Sequence, residues 1–181
     1  MNPNLVAHYA DLPALPFFVY GTLKKGQANH NFFPSDAVED VLPAKTYSAR
    51  FMLYGKSNSS YPVAVRLWPS RSYLPGEVIP SGNSIIGELV YIKSDADYCD
   101  VMQKLDLLEQ GYSRIKVIVC PERREIDDPA EPMPLVLAWM YVASNNWEYT
   151  VRSTWKRVPG GEWDPTKIII PEEIVVSPTV P

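Results

Sequence analysis

Short apolar runs separated by turn-forming breakers dominate this chain, and one stretch alone has sustained helical spacing. Phe17-Phe18-Val19-Tyr20 is a run of strand formers closed by Gly21. Strand-like stretches recur around Val38–Leu42, Ala49–Tyr54, Pro62–Leu67 and Ile85–Ile92, then at Arg114–Cys120 and Leu135–Val142. Gly26 to Phe33 has room for one or two helical turns before Pro34 stops them. A full helix is predicted from Ser94 to about Gln110: Ser94 suits the N-cap, Asp97 stands three residues on, and aspartates fill the first turns, where the helix dipole favours anions. The class expected is α+β.

At about 100° per residue, counted from Tyr98, Val101, Met102, Leu105 and Leu108 fall at roughly 300°, 40°, 340° and 280°, one apolar stripe about 120° wide. Asp97, Asp100, Lys104 and Asp106 fall outside it, as a solvated face requires. Glu109 falls at about 20°, in the middle of the stripe. It either bends out to water at a frayed helix end or is held in a low-dielectric site. In the second case burial raises its pKa towards the range that general acid–base catalysis uses.

Composition narrows the field without identifying a function. With 181 residues, the chain is expected to form one main domain, with residues 1–15 as a lead-in, 16–143 as the domain and 144–181 as an extended arm packed on it. The net charge of −4 offers no global positive field for nucleic acid or an anionic membrane. No apolar run is long enough to span a bilayer, and Met1 to Phe18 lacks the pattern of a secretory signal. Two cysteines, Cys99 and Cys120, and two histidines, His8 and His30, cannot build a disulfide framework or a His-rich metal site, so the cytoplasm is the expected compartment. Eighteen prolines, about twice the usual share, cluster in the lead-in, the Pro69–Asn83 and Pro121–Pro134 loops and the arm. There they leave the strand and helix motifs uninterrupted.

The segment after the first strand, Tyr20-Gly21-Thr22-Leu23-Lys24-Lys25-Gly26, admits two readings: an ordinary strand-to-helix turn, or a loop whose backbone N–H groups hold an anion. It is not a phosphate loop, because no Lys-Ser/Thr pair follows Gly26. Lys24 and Lys25 read as solvated, Asn29 as a local loop fastener, and Arg114 as the structural partner of Asp106 or Glu88. The alternation of Trp147, Arg152, Trp155, Lys156 and Arg157 reads better as packing than as a single-strand nucleic-acid surface.

Several motifs then occur in a fixed order: Val19-Tyr20-Gly21-Thr22-Leu23 with Gly26 and Asn29; Met52-Leu53-Tyr54 with Tyr61-Pro62; Ile86-Gly87-Glu88-Leu89-Val90-Tyr91; Leu105-Asp106-Leu107-Leu108-Glu109 with Tyr112 and Arg114; and Ala138-Trp139-Met140-Tyr141-Val142. Over roughly residues 16–143 the chain resembles the γ-glutamylcyclotransferase-like (AIG2-like) family. The resemblance implies a small mixed β-barrel with flanking helices and a cavity between the first-strand loop and the glutamate. It also implies a cofactor-free, metal-free enzyme that releases pyroglutamate (5-oxoproline) from a γ-glutamyl amine or γ-glutamyl amino acid by intramolecular aminolysis. Carried onto this chain, Glu109 is the general acid/base and the backbone of Tyr20, Gly21, Thr22 and Leu23 binds substrate. Tyr20 lines the pocket, and Tyr112 or Tyr141 supplies a hydroxyl.

The partner expected is a small γ-glutamyl compound, with no nucleic acid and no membrane. The Pro69–Asn83 loop and the arm are candidate surfaces for a homodimer or for capping the pocket. The alternative is a non-catalytic small-molecule-binding or interaction protein on the same fold.

Overall fold

The computed structural model describes residues 13–48, 50–56, 59–67, 84–123 and 134–164. Residues 1–12 of the expected lead-in, the Pro69–Asn83 loop, residues 124–133 of the second proline-rich loop and the arm after residue 164 lie outside the described residues.

Five strands close a barrel in the order β1 (Phe17–Val19), β5 (Ile86–Ile92), β2 (Val38–Thr46), β6 (Tyr112–Pro121) and β7 (Val136–Ala143). The β7 strand runs parallel to β1 and completes the circle, and every other barrel pairing is antiparallel. The two-residue period of a strand explains why the first run is apolar throughout. Phe18 and Leu89 enter one core with Val119 and Met140, whereas Phe17, Val19 and Val90 enter a second core beneath helix α1 (Asp95–Leu108). Tyr98, Val101, Met102 and Leu105 of α1 are buried there, as the helical spacing requires. Ser94 caps the helix by accepting the Asp97 N–H.

A second, three-stranded sheet, in the order β4 (Val63–Arg66), β3 (Phe51–Gly55) and β8 (Lys156–Arg157), flanks the barrel. Val63, Ala64 and Val65 are fully buried between it and its neighbours.

Two segments differ from the sequence expectation. The β2 strand does not stop at Leu42 but runs through Pro43 to Thr46. Pro43 pairs with Glu88 of β5, and its carbonyl accepts the Glu122 N–H at 2.7 Å, just past the end of β6. The missing proline N–H therefore falls beyond the last β2–β6 pair, Ala44 with Pro121, where the proline is tolerated.

The second difference lies in the arm, which begins as a helix, α2 (Asn145–Thr154), before turning extended at β8. Ser144 precedes it without a side-chain cap bond, and Glu148 and Val151 form its buried face. Tertiary burial holds this helix where local signals are weak. Among the described residues, no helix is long and apolar enough to cross a membrane.

Candidate active site

The end of α1 is not frayed. Glu109 is its C-cap residue, with its N–H bonded to the Leu105 carbonyl at 2.8 Å and its own carbonyl accepting the Tyr112 N–H at 3.0 Å. Gly111 takes φ = +97°, a left-handed conformation that a side chain would strain, and this turn sends the chain into β6. Two backbone bonds and a glycine thus fix the Cα of Glu109. Its half-buried carboxyl lines a cavity of about 650 Å³. Among the described residues, none gives that carboxyl a hydrogen bond or an ion pair. Burial without compensation pushes its pKa up to about 7.

The loop after β1 forms the facing part of the wall. Its carbonyls are engaged within the loop: Gly21 accepts the Lys24 N–H at 3.1 Å, Thr22 accepts the Asn29 N–H at 2.9 Å, and Leu23 accepts Nδ1–H of His30 at 3.0 Å. Asn29 also donates its side-chain amide to Thr22 Oγ1 at 3.0 Å, so it fastens the loop. Among the described residues, no group accepts from the backbone N–H of Gly21, Thr22 or Leu23, and all three residues line the cavity. Unpaired amides in succession are what an anion-binding loop requires. Gly21 is set by close approach as well: a Cβ there would stand 2.9 Å from two carbons of the Pro62 ring, which forms the next stretch of wall.

Every candidate named from the sequence, Glu109, Tyr20, Gly21, Thr22, Leu23, Tyr112 and Tyr141, lines this one cavity, though their polar atoms are not equally available. Tyr20 donates its hydroxyl to the Tyr141 carbonyl at 2.8 Å and accepts the Ala64 N–H at 3.2 Å, tying β1 to both β7 and β4. Burial, reinforced by the charge of Glu109, raises its pKa far above the ordinary phenol range. Tyr141 donates its hydroxyl to Asp106 Oδ1 at 2.5 Å, which removes it as a proton donor to a ligand.

Asp106 also receives Nη1 of Arg114 at 2.9 and 2.8 Å, so Arg114 takes Asp106 as its partner. Tyr112 keeps its hydroxyl free among the described residues. Burial raises its pKa most, and the charges of Tyr20, Glu109 and Tyr61 raise it further.

Sequence reasoning missed part of the wall. Tyr61, Pro62 and Trp147 line the cavity, Tyr61 and Pro62 from the β3–β4 connection and Trp147 from α2. The first two stood in a quoted motif but were given no role. Trp147 was read as arm packing, and no local signal places it near Glu109, because that juxtaposition depends on the undetected helix. Lys24 reaches the Trp163 carbonyl at 3.5 Å rather than the cavity. Cys99 and Cys120 are free and half-buried, and neither lines the cavity. Among the described residues, no three His, Cys, Asp or Glu side chains gather as a metal site.

Residues 17–165 match the family model described as "Gamma-glutamyl cyclotransferase, AIG2-like", a span that takes in α2 and β8. A Drosophila melanogaster protein named "Putative gamma-glutamylcyclotransferase CG2811" is 28% identical over 134 residues, covering 71% of this chain and 69% of its own length. The crystal structure of an AIG2-like protein from Mus musculus superposes with a TM-score of 0.52 at 22% identity, covering 83% of this chain and 88% of that one. The chain spans 39% of the length of YkqA from Bacillus subtilis, which matches 82% of this chain at 20% identity with a TM-score of 0.49.

Proposed function

The chain belongs to the gamma-glutamyl cyclotransferase, AIG2-like family, and we propose that it is a cofactor-free cyclotransferase that releases pyroglutamate from a γ-glutamyl amine or γ-glutamyl amino acid. The observation that carries this reading is the pairing of Glu109, unpaired and shifted to about 7, with the unpaired amides of Gly21, Thr22 and Leu23 in the wall of one cavity.

The reaction is an intramolecular aminolysis. The α-nitrogen of the glutamyl group bonds to its own γ-carbonyl carbon, the ring closes, and the bond from that carbon to the side-chain nitrogen breaks. No water is consumed. The cavity's first task is to hold a flexible chain folded with the reacting atoms in contact, a proximity effect. Its second is to carry the two protons that the α-ammonium sheds, one before it attacks and one as the ring closes, to the leaving nitrogen, moving each proton in turn. A carboxyl with a pKa near neutrality can accept it and return it with little cost in either direction. Glu109 takes that role. The Gly21–Leu23 amides hold the substrate carboxylate or the oxygen that gains charge as the ring closes. Tyr112, with its hydroxyl uncommitted, is the hydroxyl donor of this scheme, and Tyr141 serves as wall.

Incubation with a panel of γ-glutamyl amines and amino acids tests the proposal, with pyroglutamate and the released amine measured by mass spectrometry. Equimolar products from at least one member, lost in a folded Glu109→Gln variant, are expected. No pyroglutamate from any member, or an active Glu109→Gln enzyme, overturns the reading.

A further inference from the structure

Beyond Glu109 and the Gly21–Leu23 loop, the cavity wall carries a group of aromatic rings beside the uncharged side chains of Asn29, Ser60, Gln110 and Ser144. Tyr61 comes from the β3–β4 connection, Tyr112 from the start of β6 and Trp147 from the first turn of α2. These rings are fixed by one another. Tyr112 meets Trp147 edge-on, with centroids 5.1 Å apart and planes at 85°. Trp155, which does not line the cavity, touches two of these rings, edge-on to Trp147 at 5.8 Å and 87°, and tilted at 53° to Tyr61 at 5.7 Å. Edge-to-face contacts of this kind hold a ring's orientation as well as burying its area. This part of the wall is therefore a preformed aromatic bay, with Tyr61 at its more exposed edge.

Its charge is as informative as its shape. Among the described residues lining the cavity, Glu109 is the sole charged type, and no lysine or arginine is present. The nearest cation in sequence to Trp147, Arg152, is committed to the buried Glu148 at 3.3 Å. A leaving amine that carries a carboxylate, as an amino acid does, would bring that charge against rings with no partner for it, and an unpaired desolvated charge is costly. A leaving amine with a second ammonium would have to leave water for the rings, with Glu109 as the one opposite charge among the described residues of the wall. A neutral, flat, apolar amine suffers neither penalty and gains ring contact.

We propose that Tyr61, Tyr112 and Trp147, braced by Trp155, form a leaving-group subsite selective for γ-glutamyl amides of uncharged aromatic amines over γ-glutamyl amino acids. The proposal rests on the cyclotransferase reading for its chemistry, but the subsite can be tested by binding alone.

Three probes serve: γ-glutamyl-phenethylamide, γ-glutamylalanine and the γ-glutamyl amide of 1,4-diaminobutane. Each is titrated into the Glu109→Gln variant by calorimetry and assayed for pyroglutamate with the unaltered enzyme. The aromatic amide is expected to lead both others about tenfold or more in affinity and in kcat/KM. Trp147→Ala should cut that lead, lowering affinity and kcat/KM for the aromatic amide severalfold more than for γ-glutamylalanine. Tyr61→Ala, which removes a more exposed ring, repeats the comparison if Trp147→Ala does not fold.

Pyroglutamate formed with γ-glutamylalanine or the diamine amide equal or preferred overturns the subsite and leaves the cyclotransferase standing. Tighter binding of the aromatic amide with no pyroglutamate from any probe supports the subsite and counts against the cyclotransferase. No binding of the aromatic amide overturns the subsite outright.

Discussion

Asp106 and Glu109 leave the same helix three residues apart, yet their surroundings treat them as different kinds of group. Asp106 is held by both contacts of the Arg114 guanidinium and by the Tyr141 hydroxyl, so its charge is matched where it stands. Glu109 is half-buried against the cavity, matched by nothing among the described residues, and pushed up to about 7. The same carboxyl chemistry thus yields a fixed anion that braces the fold and a carboxyl that can exchange a proton near neutral pH. What separates them is the supply of partners, because burial and pairing push carboxylate behaviour in opposite directions.

The largest effect expected from breaking this contrast is on turnover. Glu109→Gln keeps the volume but removes the proton carrier, and should lower kcat/KM by about 10²–10⁴-fold. Asp106→Asn, in an enzyme kept folded by low temperature, should lower it by less than about tenfold, because Asp106 holds a wall residue rather than the reacting atoms. Steady-state pyroglutamate formation checks both, and equal losses would erase the distinction drawn between the two carboxyls.

Stability should show the reverse ranking. Asp106→Asn leaves the Arg114 guanidinium without its anion and weakens the acceptor for Tyr141. It should cost about 1–3 kcal/mol in urea unfolding. The Glu109→Gln variant should be no less stable than the parent at pH 7, since it replaces an unmatched buried acid with a neutral amide. A Glu109→Gln variant destabilised as much as Asp106→Asn would mean that Glu109 has a structural partner after all.

The two carboxyls were not equally legible in the sequence. Helical periodicity put Asp106 on the polar side and Glu109 within the apolar stripe, because four buried residues of α1 repeat at that spacing and Ser94 fixes the helix start. Periodicity could not decide between a frayed end and a held one. That answer lies in the φ of Gly111 and in the bond from Glu109 N–H to Leu105, neither of which has a unique sequence signature. The strands β1 and β5 were visible as apolar runs because both of their faces are buried. The helix α2 was not visible. Its Thr150, Val151 and Thr154 are indifferent helix formers, its Ser144 makes no side-chain cap bond, and its stability comes from burying Glu148 and Val151. Trp147 was lost from the site for the same reason.

A smaller effect probes the other side of the cavity. Gly21→Ala adds a Cβ 2.9 Å from the Pro62 ring, and neither the loop nor a proline can give way freely. The shift should cost about 1 kcal/mol and raise KM severalfold while leaving the pH dependence of kcat/KM in place. A changed pH profile would mean that the loop, and not burial alone, sets the state of Glu109.

A last effect isolates the carboxyl itself. Glu109 titrates near 4.5 in an unfolded chain and near 7 in the folded one, so between those values the folded state binds more protons than the unfolded state. Stability attributable to this group is therefore fully present below about pH 4.5, falls as pH rises through the window, and is lost above about 7. Glutamine does not titrate. The melting temperature of Glu109→Gln minus that of the parent should then be flat at low pH, grow in favour of the variant between about 4.5 and 7, and level off beyond. A difference that stays constant with pH would mean that Glu109 reaches water freely, and the proton carrier assigned to the cavity would have to be sought elsewhere.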